Sequence, residues 1–441
     1  MGEPKPANPA QSIAQGIRHA GPLALSGLAA NGANVIVTVV IARFLTTREY
    51  GLFAQLIALF LIVSMPGSAL VVAVVRRSAA MLTLRATERL GRWAHAIERR
   101  GVLLLGAWVL LVLAIDAPMS AWLGQEGYAA LALMLSGAGL WVLLCVDRGL
   151  LQSCRAYNAL SVNLLVEGGV RTVGVLGFVV AGMGVTGAAL GVFLAELATA
   201  IHARIAARRQ VAHVHAPGGP VDEEIIFSQR EIAHDMVFAL VAMAMLAVLQ
   251  NVDVITVSSL GHAVSGSYAA ISVASKAIVF AAVVLGSYLL PEAALRHHEG
   301  EEGLHQVAVV LVILAVPAVA LLAVALLFPH TALSLVFSHR YLGAASAFVP
   351  LVVAMICLAV TMVLTTYQLA RARRSAVYLL VGGSALLTLA VLAANGDAVR
   401  TAQNDLAVQA LLLVAMATSI WWERIRASSS SVEAELGQVQ G

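Results

Sequence analysis

NVDVITVSSLGHAVSGSYAAISVASKAIVF, residues 251–280, is apolar on both flanks yet holds a full negative charge, Asp253, and a full positive one, Lys276. The stretch divides at a short turn, SLGHAVSG, and each arm extends over about 20 mostly apolar residues, the length that crosses a bilayer. It therefore reads as two membrane-spanning helices joined by a hairpin, with one charge at depth in each. A charge at the centre of a spanning helix costs roughly 2.5–3.5 kcal/mol on insertion scales. Two such charges need each other, a polar cavity, or both.

The rest of the chain has the same character. It is 441 residues long, 60% hydrophobic and only 12% charged, with a mean hydropathy of +0.89. Soluble domains average about 25% charged, so this is the composition of an integral membrane protein. Windows of spanning length fall at 21–43, 50–75, 101–118, 127–147, 160–182, 185–204, 233–258, 265–290, 304–328, 343–369, 376–394 and 402–422. The fold class expected is all-α, with twelve transmembrane helices. The first 20 residues are polar and contain proline, and the apolar stretch after them is long enough to remain as a span, so no cleaved signal peptide is expected.

Orientation follows from the basic residues, which concentrate on the cytoplasmic side of a membrane. With an inside N-terminus, 21 of the 27 lysines and arginines fall in cytoplasmic segments. Arg43, Arg48, Arg340 and Arg400 fall outside, and Arg171 and Lys276 lie within spans. Both termini are thus expected in the cytoplasm, the chain being multi-pass in a bacterial inner membrane. Twenty-five of the basic residues are arginine and only Lys5 and Lys276 are lysine, a skew that suggests a GC-rich genome.

Residues 205–232 form the longest hydrophilic stretch between spans in mid-chain and divide the twelve spans into six and six. The halves echo each other. ARFLTTREYGLFAQLIA at 42–58 aligns with VSSLGHAVSGSYAAISV at 257–273, matching Leu45 with Leu260 and Gly51 with Gly266. LLQSCRAYN at 150–158 aligns with TYQLARARR at 366–374, matching Gln152 and Arg155 with Gln368 and Arg371. Each half starts inside and has an even number of spans, so the two are parallel repeats about an axis along the membrane normal, around a central cleft. The expected divisions are a cytoplasmic tail at 1–20, an N-lobe at 21–204, a linker at 205–232, a C-lobe at 233–424 and a disordered tail at 425–441. Within the N-lobe, residues 78–100 have an apolar face of Met81, Leu84, Leu90, Trp93 and Ile97 opposite several arginines, the pattern of a helix lying on an anionic inner surface.

Five ionisable residues fall well inside spans: Glu167, Arg171, Glu196, Asp253 and Lys276. Counting from the hairpin turns puts Asp253 level with Lys276 and Arg171 level with Glu196, and Glu167 and Arg171 share a helix face at i and i+4. Tyr268, Ser272 and Lys276 form one stripe, and Asn31, Asn34 and Thr38 form another, Thr38 being the repeat mate of Asp253. Two readings stay open for these charges: they fix helix packing, or they line a transport cavity. Arg43, near the outer surface, is either a snorkelling anchor or an anion contact at the cleft mouth.

Several functions are disfavoured. The chain has no GxxxxGK[ST] phosphate loop for ATP-driven pumping. No outer loop is long enough for the catalytic residues of a membrane polymerase, and no segment resembles a selectivity filter. Its three cysteines and twelve histidines lack metal spacing, so neither cofactor nor metal is expected. A secondary transporter with two six-helix lobes remains.

ARFLTTREYGLFA (42–54), the Asp253–Lys276 hairpin, YLLPEAA (288–294) and LLQSCRAYN together resemble the polysaccharide and O-antigen flippases of the Wzx type. These belong to the multidrug/oligosaccharidyl-lipid/polysaccharide (MOP) exporter superfamily, whose fold is MATE-like. The resemblance implies flipping of an undecaprenyl-pyrophosphate-linked oligosaccharide, with Lys276 and Arg171, and less centrally Arg43, neutralising pyrophosphate. Asp253, Glu167 and Glu196 would hold those cations in the empty site, or carry protons or sodium if transport is ion-coupled. The partners expected are the lipid-linked glycan, membrane lipids, and a polysaccharide polymerase and glycosyltransferases, with no nucleic acid. Two cations against three acids leave a second expectation, an ion-coupled multidrug exporter of the same superfamily.

Overall fold

The computed structural model describes residues 9–83, 87–123, 128–213, 229–283, 285, 304–371 and 373–439. These are helical apart from short turns, with no strand among them. The chain forms two compact units, Met1–Met236 and Val237–Gly441.

The first unit holds α1 (Pro9–Phe44), α2 (Thr47–Ser64), α3 (Gly67–Thr83), α4 (Thr87–Trp122), α5 (Tyr128–Ser153), α6 (Tyr157–Phe178) and α7 (Gly184–His213). The TTREYG motif is the start of α2. The Thr46 hydroxyl accepts from the Glu49 backbone N–H at 3.2 Å while a Glu49 carboxylate oxygen accepts from the Thr46 N–H at 2.8 Å, a reciprocal cap. Pro66 lies in the turn that separates α2 from α3, which together form one apolar stretch, Thr47–Ala79.

The second unit takes in α8 (Gln229–Leu260) from Val237 onward, followed by α9 (Ser265–Ser275) and a further helical stretch at 277–283. Then come α10 (Leu304–Leu327), α11 (Pro329–Val336), a 3₁₀ segment (His339–Ala347), α12 (Phe348–Ala370), α13 (Ser375–Ala393) and α14 (Ala398–Val439). Helix α14 carries helical backbone through residues 425–439, the segment read from sequence as a tail. The YLLPEAA motif and residues 214–228 of the expected linker lie outside the described residues.

Among the described residues, eleven stretches are long and apolar enough to cross a membrane. One of them, Tyr157–His213, has 57 residues. At 1.5 Å per residue it would be about 86 Å long, well over twice a hydrocarbon core of about 30 Å. It folds back where Gly182 (φ 83°) and Gly184 (φ 54°) take left-handed backbone open to glycine. Counting α6 and α7 separately gives the twelve spans expected. Lipid-like surface is clearest on α10, where Val312, Ile313, Val316 and Val319 are all exposed.

Helix α4 departs from the sequence reading. Residues 78–83 complete α3, and α4 runs unbroken from Thr87 into the span. Leu90 and Ala94 are buried in a cluster with Val74, Val146, Leu150, Leu151 and Ala207, with Trp93 and Ile97 packed beside them. The apolar face thus meets α3, α5 and α7 rather than lipid headgroups. Leu84 lies outside the described residues.

Candidate functional site

Two buried clusters of charge form, one in each unit. In the first, Asn163, Glu167 and Arg171 follow one another on a single face of α6, at i, i+4 and i+8. Close backbone packing brings that face to α7. A Cβ on Gly174 would meet the Gly191 Cα at 3.1 Å, and a Cβ on Gly191 would overlap the backbone of Val175. Arg171, one turn before Gly174, consequently reaches Glu196, just over one turn after Gly191.

Arg171 is the hub. Its Nη2 donates to Glu167 Oε1 at 3.0 Å and also to Glu196 Oε1, and its Nη1 donates to Asn34 Oδ1 on α1 at 3.2 Å. The guanidinium lies 5.9 Å from the Phe60 ring centroid on α2. The other Glu167 oxygen accepts from Arg148 Nη2, and Arg148 Nε donates to Asn163 Oδ1 at 2.8 Å. Asn163 in turn donates to the Thr199 carbonyl at 2.9 Å, and its Nδ2 lies 3.3 Å from His202 Nδ1. Two guanidiniums face two carboxylates, so the cluster balances in charge. Arg171 Nε and Glu196 Oε2 are buried without a hydrogen-bond partner.

The second cluster is built around the hairpin of 251–280. Asp253 and Tyr268 are fully buried, and the Tyr268 hydroxyl donates to Asp253 Oδ2 at 3.0 Å. Lys276, at the C-terminal cap of α9, donates to Asn251 Oδ1 at 3.3 Å and lies 3.9 Å from Asp253 Oδ1. Ser272 is buried beside them, its hydroxyl without a hydrogen-bond partner. A third helix completes the site. The backbones of Gly261 and Gly396 (φ 79°) touch so closely that a Cβ on either would overlap the other. Asp253 lies eight residues before that contact and Asp405, on α14, nine after it, so the two carboxylates lie at similar depth. Asp405 is fully buried within electrostatic reach of Asp253 and Lys276, and it accepts from Gln409 Nε2 at 3.2 Å.

The pairs counted from the hairpin turns, Asp253 with Lys276 and Glu167 and Glu196 with Arg171, are in contact. Asn34 joins the first cluster. Arg43 is exposed at the end of α1 and enters neither set of contacts, and the Asn31 side chain lies outside the described residues. Arg148 and Asp405 were missed. Arg148 reads from sequence as a cytoplasmic residue just past a span ending at 147, yet α5 continues to Ser153 and buries it. With both included, the balance of two cations to three acids becomes three to four. A third network ties α4, α5 and α7 together: Arg204 meets Asp147 at 3.2 Å and Glu98 at 3.4 Å, and Arg208 meets Glu98 at 3.1 Å.

Among the described residues, no group of three or more histidine, cysteine or acidic side chains could hold a metal ion. No family model and no curated protein matches the chain. Solved structures do. An inward-facing multidrug-resistance MATE transporter of the MOP superfamily is 15% identical, with a TM-score of 0.66 over 91% of this chain and 95% of that one. A MOP-superfamily transporter from Pyrococcus furiosus, described as having a binding pocket of reversed polarity, is 14% identical at a TM-score of 0.61, over 93% and 96%. The lipid II flippase MurJ, in an inward closed conformation, is 11% identical at a TM-score of 0.61, over 91% and 87%. The chain therefore has the fold of the MOP-superfamily transporters.

Proposed function

We propose that the chain is a secondary transporter that flips a polyprenyl-pyrophosphate-linked oligosaccharide across the bacterial inner membrane by alternating access, for surface polysaccharide synthesis. The observation that carries this reading is Lys276, a buried ammonium using one hydrogen bond of 3.3 Å and one ion contact of 3.9 Å. An ammonium has three donors. Lys276 therefore keeps donor capacity for an arriving phosphate, at a depth where a spare cation is otherwise costly. Arg171 supplies a second cation, with its Nε still open.

The chemistry suits the cargo. A sugar-pyrophosphate headgroup is polar and anionic while its isoprenoid tail stays in lipid, so a protein need only carry the headgroup. The likeness to MurJ, a flippase of lipid II, agrees with such a cargo, and no catalytic role is assigned. Polymerase and glycosyltransferases would act on either side of the step, and both termini would be cytoplasmic. Deleting the gene in the native host and quantifying lipid-linked sugars tests the reading. Build-up of complete lipid-linked oligosaccharide with loss of a surface glycan supports it. An unchanged pool with heightened sensitivity to cationic toxic compounds overturns it in favour of multidrug export, the reading favoured by the excess of acids over cations.

A further inference from the structure

The second unit carries a pocket that shares no residue with either charged cluster. Three segments meet around it: the turn 261–264 between α8 and α9, the 3₁₀ segment, and the turn 394–397 between α13 and α14. Their backbones pack tightly. Gly261 touches Gly396, and a Cβ on Gly343 would lie 3.2 Å from the Ser267 hydroxyl oxygen. The Val264 N–H donates to the Gly261 carbonyl and the Asp397 N–H to the Ala394 carbonyl, each at 3.0 Å, closing two of the turns. The pocket holds about 400 Å³, within the range of roughly 300–1,000 Å³ that small-molecule sites occupy.

Its lining is of two kinds. Val264, Ala344 and Val399 are buried or half-buried and supply apolar surface, while Ser346, Asn395 and Asp397 are exposed and supply a hydroxyl, an amide and a carboxylate. One Asp397 oxygen accepts from the Arg400 N–H at 2.8 Å, which leaves the other for a ligand. No lysine, arginine or histidine is among the described residues of the lining, so a phosphate would meet a carboxylate and no cation. No aromatic ring is among them either, so an organic cation would find no π face. One carboxylate is too little for a calcium ion, which takes about six to eight oxygens. A sugar ring suits both kinds of surface: its C–H face is apolar, and its hydroxyls donate and accept to amide, hydroxyl and carboxylate alike.

We propose that this pocket binds a short uncharged saccharide, part of the glycan as it arrives on the outer face. The turn 261–264 follows the end of α8 opposite Gln229, so the cytoplasmic termini proposed above put the pocket outside. Asn395 presents its amide from left-handed backbone, φ 49°, a conformation that asparagine adopts more readily than most residues. Binding forms hydrogen bonds and apolar contacts and changes no covalent bond. The glycan as ligand rests on the function proposed above; the preference for a neutral sugar over an anion rests on the lining alone.

The test uses the full chain in lipid nanodiscs. The probe is a set of lipid-free oligosaccharides released by mild acid from the native host's surface polysaccharide, and saturation-transfer-difference NMR reads their contact with the protein. The wild type should saturate the sugar protons, and added inorganic pyrophosphate should leave the signal unchanged. Ser346→Trp, which fills the pocket from an exposed position, should lower the signal several-fold. Asn395→Gly removes the amide, keeps the left-handed backbone, and covers the case in which the tryptophan variant does not fold; it should lower the signal to a smaller extent. No transfer from the wild type, equal transfer from both variants, or loss of the signal to pyrophosphate overturns the site. The two readings fail separately. Sugar binding at the pocket with no build-up of lipid-linked sugar in the deletion strain overturns the flippase and leaves the pocket; build-up with no binding overturns the pocket and leaves the flippase.

Discussion

Lys276 lies 3.9 Å from Asp253 Oδ1, beyond hydrogen-bond reach, while the other oxygen of the same carboxylate is held by Tyr268 at 3.0 Å. The tyrosine fixes the acid and leaves the lysine loosely engaged. Arg171 contrasts with it, donating to three acceptors on α1, α6 and α7. One cation is poised to move and the other is built in, and the expected behaviour of variants differs accordingly.

At position 276 the charge matters more than the fold. Lys276→Ala should abolish most transport while membrane abundance stays near normal, and Lys276→Arg should keep part of the activity. Complementation of a deletion strain, normalised to protein in the membrane, measures this. Equal activity in all three proteins would remove the lysine from the mechanism.

Arg171 should behave as a structural hub. Removing one partner of a buried pair costs about 3–5 kcal/mol, because the other charge is left uncompensated. Arg171→Met should therefore lower the thermal unfolding temperature markedly, and Arg171→Met with Glu196→Leu should recover part of the loss. Thermal unfolding in detergent decides it; a double variant no more stable than the single one contradicts the coupling.

Tyr268→Phe deletes one hydroxyl and leaves Asp253 Oδ2 without its donor. A buried acceptor left unsatisfied costs about 1–3 kcal/mol. The expected outcome is a modest fall in thermal stability with the protein still folded, checked by the same melt. A stability equal to the wild type would mean that the hydroxyl does not hold the acid.

Gly261 and Gly396 meet backbone to backbone, so a side chain at either must push two turns apart. Gly396→Ala adds strain from its φ of 79°. It should be more damaging than Gly382→Ala, where a Cβ meets nothing within 4 Å. Yields of folded, monodisperse protein compare the two.

How much of this was legible depends on what each signal reports. Hydropathy found the spans because bilayer thickness sets their length. Counting from turns paired Asp253 with Lys276 and Arg171 with Glu196, because a hairpin places equal counts at equal depth. It failed for Arg148 and Asp405 at the edges of hydropathy windows: a helix continues past the point where its sequence turns polar. Asp405 was within reach of the same arithmetic, nine residues past the 395–397 turn and one turn from both Thr401 and Gln409. For α4 the amphipathic pattern marks Leu90, Trp93 and Ile97 as one face, while Met81, assigned to the same face, belongs to α3. Periodicity shows which face is apolar, and only the fold shows that α3, α5 and α7 cover it.

The most direct test of the central claim is flipping in vitro. Purified protein is reconstituted into vesicles loaded symmetrically with a polyprenyl-pyrophosphate-linked oligosaccharide, and the sugar open to a membrane-impermeant oxidant is followed over time. The account predicts that the wild type exposes essentially the whole lipid pool, whereas protein-free vesicles and Lys276→Ala stop at the outer leaflet. A wild type that also stops there, or an alanine variant that exposes the pool as fast, would contradict it.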